Sequence, residues 1–414
     1  MKWTYIFSVM ILFSCTSPQE KIFIPKDIVI AHRGSTYWTP EETEAAYRWA
    51  RNMGADYLEV DIQRTKDGVL LALHDPSLER TTNAKKVFQD TNRCRASDFT
   101  YEEMMQLDAG VWFNVAYPER ARLGYTPSLA KLKATDRVAV SFTKDGKVSD
   151  SLVIQETYIG GKQYVSTLED VIRIAEGYCI ARDSLGNRLY KTERRNGKLV
   201  YHFYYVKDPK DSEDRPGVYI ETKEPDLFPG VEKDLFQHLQ WLGWNVLTKP
   251  VTDTILYRNA KVRVGKTSAK VILQTFSPHS LKNLYAEFKG RVPTTLLLWQ
   301  GDANMPHNDS VSYFENLKLA HDYGAQIIGP SIGGFPNNYD DLLTEENFQW
   351  IRGQGFIIHP YSFDTEDQTK IYGKRCDGMF TNRTDLTSLY YYKQGRRQKI
   401  VPRDAEKVLS DLEY

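Results

Sequence analysis

Short apolar runs alternate with longer amphipathic stretches along most of this chain. Extended segments are predicted at 28–32, 57–65, 69–74, 218–223, 271–276, 295–299, 326–329 and 356–360. Between them, 41–53, 171–176, 232–242, 313–321 and 345–353 carry apolar residues at helical spacing, and Gly54 closes the first of these as a C-cap. Strands that alternate with helices predict an α/β fold built on a parallel barrel. One link departs from that rule. Segments 57–65 and 69–74 are joined through Lys66-Asp67-Gly68, where Asp-Gly signals a hairpin and the link is too short for a crossover helix. The barrel is therefore expected to be irregular around its second and third strands: the chain folds back as an extra strand, or one pair is antiparallel.

Three insertions interrupt the alternation. Segment 85–125 is polar and irregular, and 137–165 holds a second Lys-Asp-Gly turn at Lys144-Asp145-Gly146. The third, near 186–215, contains a predicted hairpin turning at Asn196-Gly197. Its Tyr190, Tyr201, Phe203 and Tyr205 fall on one face. They either cover the mouth of the barrel or pack the hairpin onto its wall.

Polar residues at strand ends carry the candidate chemistry. Ala31-His32-Arg33-Gly34, Glu59-Val60-Asp61 and Leu73-His74-Asp75 each end an apolar run. Residues two apart on a strand share a face, so Glu59 and Asp61 point one way and Leu58, Val60 and Ile62 the other. Paired carboxylates repel unless a cation sits between them or one stays protonated. With Asp67-Gly68 as a two-residue loop, Lys66 opposes Val69 and Asp61 opposes His74, with Cβ atoms roughly 5 Å apart. Two histidines, an arginine and two carboxylates supply what phosphodiester hydrolysis requires: a proton donor, a proton acceptor, a phosphate clamp and a seat for a hard metal ion. Thr39-Pro40-Glu41-Glu42 reads as a helix start, with an N-cap, a first-turn proline and a capping-box glutamate. That reading makes Glu41 a helix-dipole partner.

These residues resemble the glycerophosphodiester phosphodiesterase family, most closely its periplasmic branch. The resemblance rests on Ala31-His32-Arg33-Gly34, Pro40-Glu41-Glu42-Thr43, the run from Gly54 through Glu59 to Asp61, Thr65-Lys66-Asp67-Gly68 and Leu73-His74-Asp75. It continues in the same order through Thr167-Leu168-Glu169-Asp170, Tyr219-Ile220-Glu221-Thr222-Lys223, Leu273-Gln274-Thr275-Phe276, Ile328-Gly329-Pro330, His359-Pro360-Tyr361 and Gly378-Met379-Phe380-Thr381-Asn382. Most of 28–388 is covered. Two positions depart from the family pattern: Glu42 stands where Asn is usual, and Asn382 where Asp is usual. The resemblance implies a (β/α)8 TIM-type barrel with its site at the C-terminal strand ends. It also implies that Glu59, Asp61 and Glu221 hold one divalent cation. All-carboxylate ligation selects Ca2+ or Mg2+, and the resemblance favours Ca2+. Arg33 and Lys223 are then the phosphoryl clamps, with Arg33 also counted among the catalytic groups, and His32 and His74 are the acid–base pair. Gln274, Phe276, Trp299 and Tyr361 are candidates for the glycerol pocket. The alternatives are a lysophospholipase D or related phosphodiesterase on the same scaffold, and a non-catalytic lipoprotein that binds polyol phosphates.

Composition narrows the partners. Lysine plus arginine and aspartate plus glutamate number 54 each among 414 residues, and no basic run offers a nucleic-acid surface. Lys2, an apolar run over 3–13 and Leu12-Phe13-Ser14-Cys15 read as a lipoprotein signal (1–14). Lipidation of Cys15 would place the protein on a membrane in an exported compartment, with 15–25 as a tether and 26–414 as a single barrel domain. Cys94, Cys179 and Cys376 remain. Their spacing fits no zinc motif, and at most one disulfide can form among them.

Overall fold

The computed structural model describes residues 22–89, 92–117, 120, 162–195 and 197–414. The leader, Cys15, the Lys144-Asp145-Gly146 turn and Asn196 lie outside the described residues. Eight strands form the barrel wall: β1 (Ile28–Ala31), β2 (Tyr57–Arg64), β8 (Gly217–Thr222), β11 (Val271–Thr275), β12 (Thr294–Leu298), β13 (Ile327–Pro330), β14 (Ile357–Ile358) and β15 (Gly378–Thr381). They run parallel in the order β15-β1-β2-β8-β11-β12-β13-β14. Backbone hydrogen bonds from Asp377 N to Ile358 O (2.9 Å) and from Phe380 N to Pro360 O (3.2 Å) close the seam between β14 and β15. The fold is thus the expected α/β TIM-type barrel.

The irregularity falls where the short link stands. Strand β3 (Leu70–Ala72) turns back antiparallel on β2 and lies off the barrel path. Its register differs by one residue from the expected one. Ile62 pairs with Ala72 and Arg64 with Leu70, so Asp61 lies opposite Leu73 and its carbonyl accepts the Leu73 N–H at 2.9 Å; His74 is one residue further on. The cause is the turn. Thr65 bonds to Val69 across a three-residue loop, Lys66-Asp67-Gly68, and Gly68 takes the left-handed φ of 94° that such loops need.

Alternation along the wall sorts the side chains. Leu58, Val60 and Ile62 of β2 and Val218 and Ile220 of β8 are fully buried against helices α1 (Glu44–Met53) and α2 (Leu168–Ala175). Tyr57 and Tyr219 point into the barrel, where they pack with Ile30, Ile272, Leu297 and Phe380. Each fully buried apolar side chain contributes roughly 1.5–3 kcal/mol. Helix α1 begins later than expected. Thr43, not Thr39, is its N-cap, and Glu41 and Glu42 precede it. The eighth strand, Gly378–Thr381, is too short and too glycine-led to stand out by pattern.

The aromatic hairpin resolves in favour of packing. Strands β5 (Tyr190–Arg195) and β6 (Lys198–Phe203) pair with Tyr190 opposite Phe203. Tyr190, Tyr201 and Phe203 join Leu71, Leu73, Phe99 and Tyr101 in a satellite core behind β3. Tyr205 belongs to a separate strand and donates to Asp170 at 2.7 Å. None of the four borders the barrel-mouth cavity. Cys94, Cys179 and Cys376 are free thiols.

Candidate active site

Strand alternation that buries Tyr57 and Tyr219 inside the barrel brings carboxylates to the same face nearer its mouth. Glu59 and Asp61 follow Tyr57 at intervals of two, and Glu221 follows Tyr219. The parallel register sets Asp61 directly beside Glu221, and Glu221 beside Gln274 of β11. All three carboxylates are buried, and each offers an oxygen within 4.8 Å of the others.

The chain leaving β1 wraps this cluster. His32, Arg33 and Gly34 form one tight turn in which Arg33 and Gly34 have φ of 49° and 82°. A Cβ on Gly34 would lie 2.6 Å from that of Ala46, so only glycine lets α1 approach here. The turn aims the Arg33 N–H at Glu59 Oε2 (2.6 Å) and sets the Arg33 Nε 3.2 Å from Asp61 Oδ2. Gln274 Nε2 donates to the other Glu59 oxygen at 2.9 Å. Lys223 Nζ lies 3.3 Å from Glu221 Oε1 and 5.2 Å from the centre of the Phe276 ring.

Three buried carboxylates cannot all carry full charge unaided. Burial and the Asp61 charge push Glu59 well above the usual range. Burial, with help from Asp61 and against the pull of Lys223, pushes Glu221 up to about 8. Burial acts on Asp61 too, but the facing His74, Arg33 and Lys223 outweigh it and hold that carboxyl at about 2. Among the described residues, buried Gln274 Oε1 has no hydrogen-bond partner and buried Asp61 Oδ2 has only its ion pair with Arg33. An all-oxygen cluster with unmet acceptors fits a hard divalent cation and does not suit a softer metal.

Two imidazoles flank the cluster. His32 Nδ1 lies 2.8 Å from Asn382 Oδ1, and burial together with the Arg33 charge lowers the ring to about 3. His74, just past β3, lies with Nδ1 2.6 Å from Asp75 Oδ1 and is also lowered by burial. Arg80 then links Asp75 to Glu41, donating to the first at 2.6 Å and 2.9 Å and to the second at 2.9 Å and 2.6 Å. Glu41 also meets Arg33 at 3.4 Å. Its role as a helix-dipole partner is therefore corrected: it is an ion-pair hub between the two arginines. Glu42 is no capping-box residue either. Its Oε1 accepts the Asp61 N–H at 2.8 Å, behind the carboxylate cluster.

A cavity of about 640 Å³ opens over these groups. His32, Arg33, Glu59, His74, Glu221, Lys223, Gln274, Phe276, Trp299 and Tyr361 all border it, and buried Asp61 lies behind them in the cluster. Asp75, Arg80, Tyr339 and Phe380 also line it and were not foreseen. The Asp75-Pro76 turn hid the first, and no local pattern marks the other three. Trp299 and Tyr339 pack edge to face at 5.0 Å, as do Phe276 and Tyr361 at 5.8 Å, to form an aromatic wall.

Comparison with known proteins agrees with this geometry. The chain is 29% identical over 360 residues to a glycerophosphodiester phosphodiesterase of Bacillus subtilis (strain 168), a match that covers 87% of this chain and 84% of that protein. It is 46% identical over 88 residues to one from Caldanaerobacter subterraneus subsp. tengcongensis, covering 21% of this chain and 33% of that protein. A solved structure from Silicibacter pomeroyi DSS-3, named as a candidate glycerophosphoryl diester phosphodiesterase, shares the fold with a TM-score of 0.55. It is 15% identical, and the match covers 90% of this chain and 96% of that one. The signature of the glycerophosphoryl diester phosphodiesterase family matches residues 32–228. That stretch begins at His32 and takes in Arg33, Glu59, Asp61, His74, Glu221 and Lys223, so these charged groups at the barrel mouth all lie within the part of the chain that is similar to the glycerophosphoryl diester phosphodiesterase family.

Proposed function

We propose that this protein hydrolyses glycerophosphodiesters to sn-glycerol 3-phosphate and an alcohol, with one divalent cation at Glu59, Asp61 and Glu221. The observation that carries the reading is the convergence of two imidazoles, one guanidinium and one ammonium on three buried carboxylates at a single mouth. When bound, the cation, with calcium favoured over magnesium, would offset the carboxylate repulsion and act as a Lewis acid toward a phosphoryl oxygen. Arg33 and Lys223 hold the remaining phosphoryl oxygens and stabilise charge as it grows there. His32 and His74 exchange protons with the attacking and departing oxygens. The aromatic wall of Phe276, Trp299, Tyr339 and Tyr361 receives the carbon skeleton, with Gln274 at its edge.

The test is turnover of glycerophosphocholine, followed by the release of sn-glycerol 3-phosphate. Activity should vanish in excess chelator and return with calcium or magnesium. Full activity in chelator would refute the metal, and no turnover across a panel of glycerophosphodiesters would refute the substrate class.

We also propose that the protein is exported and anchored through a lipid on Cys15. Lys2, the apolar run over 3–13 and Leu12-Phe13-Ser14-Cys15 support this. Cys15→Ala should release the protein or leave it unprocessed. A fully soluble wild type with no lipid on its mature terminus would overturn the idea.

A further inference from the structure

Asn382 follows the last barrel strand and is tied down on every side. Its N–H donates to Phe363 O at 3.0 Å, and its carbonyl accepts from Tyr37 N (3.2 Å) and Ser35 Oγ (2.9 Å). Its side-chain amide spans two groups of different character. On one side lies Asp364 Oδ1 at 2.9 Å; on the other lies His32 Nδ1 at 2.8 Å. The second Asp364 oxygen accepts from Asn337 Nδ2 at 2.7 Å, and the same Asn337 nitrogen donates to Ser362 Oγ at 2.9 Å.

Burial raises the Asp364 carboxyl, and the amide donors of Asn382 and Asn337 oppose that shift; with Asp364 ionised, the protons around His32 have one consistent arrangement. A carboxylate only accepts, so the NH2 of Asn382 must face Asp364. The amide oxygen is then left to face His32, and an oxygen acceptor demands a proton on Nδ1. With its single proton fixed there, a neutral His32 carries its lone pair on Nε2. The residue borders the cavity, and among the described residues no hydrogen bond engages Nε2. The other imidazole differs in kind. His74 rests on a carboxylate, Asp75, which supports a charged ring as well as a neutral one, whereas an amide gives the charged ring no such support.

We propose that Asn382, held by Asp364, is a positioning residue that fixes His32 as the Nδ1–H tautomer, with Nε2 as the proton acceptor of the reaction. The inference rests on the acid–base reading above and deepens it. As the nucleophile's oxygen bonds to phosphorus, its proton passes to Nε2 of His32. The bond from phosphorus to the alcohol oxygen breaks, and that oxygen takes its proton from the second imidazole at the cavity, His74.

The tautomer can be read without turnover, from the Nδ1 and Nε2 resonances of His32 in protein labelled with 15N. The wild type should show a protonated Nδ1 and a bare Nε2. Asn382→Leu should move the proton to Nε2 and lower kcat by about 10- to 100-fold, with KM changed little. Asn382→Asp keeps an oxygen opposite Nδ1 and should retain the tautomer and recover most of kcat. Should Asn382→Leu fail to fold, Asp364→Asn serves instead, because it frees the amide to turn over. A wild-type His32 protonated at Nε2, or an Asn382→Leu variant with unchanged tautomer and kcat, would overturn the inference. An Nδ1–H ring in a protein without phosphodiesterase activity would instead count against the proposed function.

Discussion

Asp61 and Glu221 stand directly opposite each other across the β2–β8 pair, one fully flanked by cationic groups and the other pushed up to about 8. Neighbours on parallel strands cannot move apart without breaking the ladder between them, so their repulsion is built into the wall. Asp61→Asn and Glu221→Gln should each weaken calcium or magnesium binding by at least 10-fold and reduce turnover in parallel. Calorimetric titration of the two variants checks this. Unchanged affinity in both would move the metal elsewhere.

Proton transfer is assigned to two rings whose hydrogen bonds go to Asn382 and Asp75 and not to the carboxylates of the cluster. His74→Ala and His32→Ala should therefore lower kcat by roughly 10²–10⁴-fold, while metal affinity stays within a few-fold of wild type. A His74→Ala enzyme with near-normal kcat would show that another group protonates the leaving alcohol.

Arg80 borders the cavity and also braces two groups of the site from behind. It is nearly half exposed, yet it clamps Asp75 behind His74 and Glu41 behind Arg33. Arg80→Met should reduce kcat about 10-fold and cost no more than about 1–2 kcal/mol of stability. Urea denaturation beside steady-state kinetics separates the two effects; a large stability loss with intact kcat would make Arg80 a purely structural clamp.

Away from the mouth, Asp208 ties helix α1 to the insertion that follows α2. It accepts from Arg48 at 2.7 Å and 2.8 Å and from Arg51 at 2.6 Å, and Arg51 is fully buried. Although burial opposes it, the two arginines hold the Asp208 carboxyl at about 2, below its ordinary value. A depressed carboxylate adds stability that is fully present above about pH 4 and is lost as pH falls toward 2. Asp208→Ala should cost about 3–5 kcal/mol, because it removes the carboxylate that Arg48 and Arg51 share and leaves Arg51 only the Asp211 carboxylate, 3.5 Å away. Asp208→Asn should flatten the fall in stability between these pH values, measured by denaturant melts at stepped pH.

Period-two alternation in Tyr57–Arg64 correctly separated Glu59 and Asp61 from Leu58, Val60 and Ile62, because burial on both faces of a barrel strand is a local property. The hairpin register is one residue away from the expected one, because Asp-Gly serves two-residue and three-residue turns alike: a two-residue type I′ turn needs positive φ at both residues, and here Gly68 has it and Asp67 does not. Glu41 and Glu42 imitate a helix cap, and their partners, Arg80 and the Asp61 N–H, are fixed by tertiary packing that no local pattern records. Asn382 was seen only as a departure from a family pattern. Its bond to His32 joins the last strand of the barrel to the first and exists only once the barrel closes.

The Lys66-Asp67-Gly68 turn limits how this lineage can change in length. Asp67 is anchored by Thr65 (2.7 Å), by the Tyr101 N–H (3.0 Å) and by Tyr201 (2.8 Å), so the loop cannot simply absorb an extra residue. A single insertion or deletion would exchange the two faces of β3, turning Leu71 toward the helices and Leu70 and Ala72 toward the satellite core. It would also swing His74 away from the cavity. The Tyr190–Phe203 hairpin, by contrast, can grow or shrink without touching substrate. Relatives that keep the activity should therefore vary freely in length near that hairpin and show no gap between Asp61 and His74.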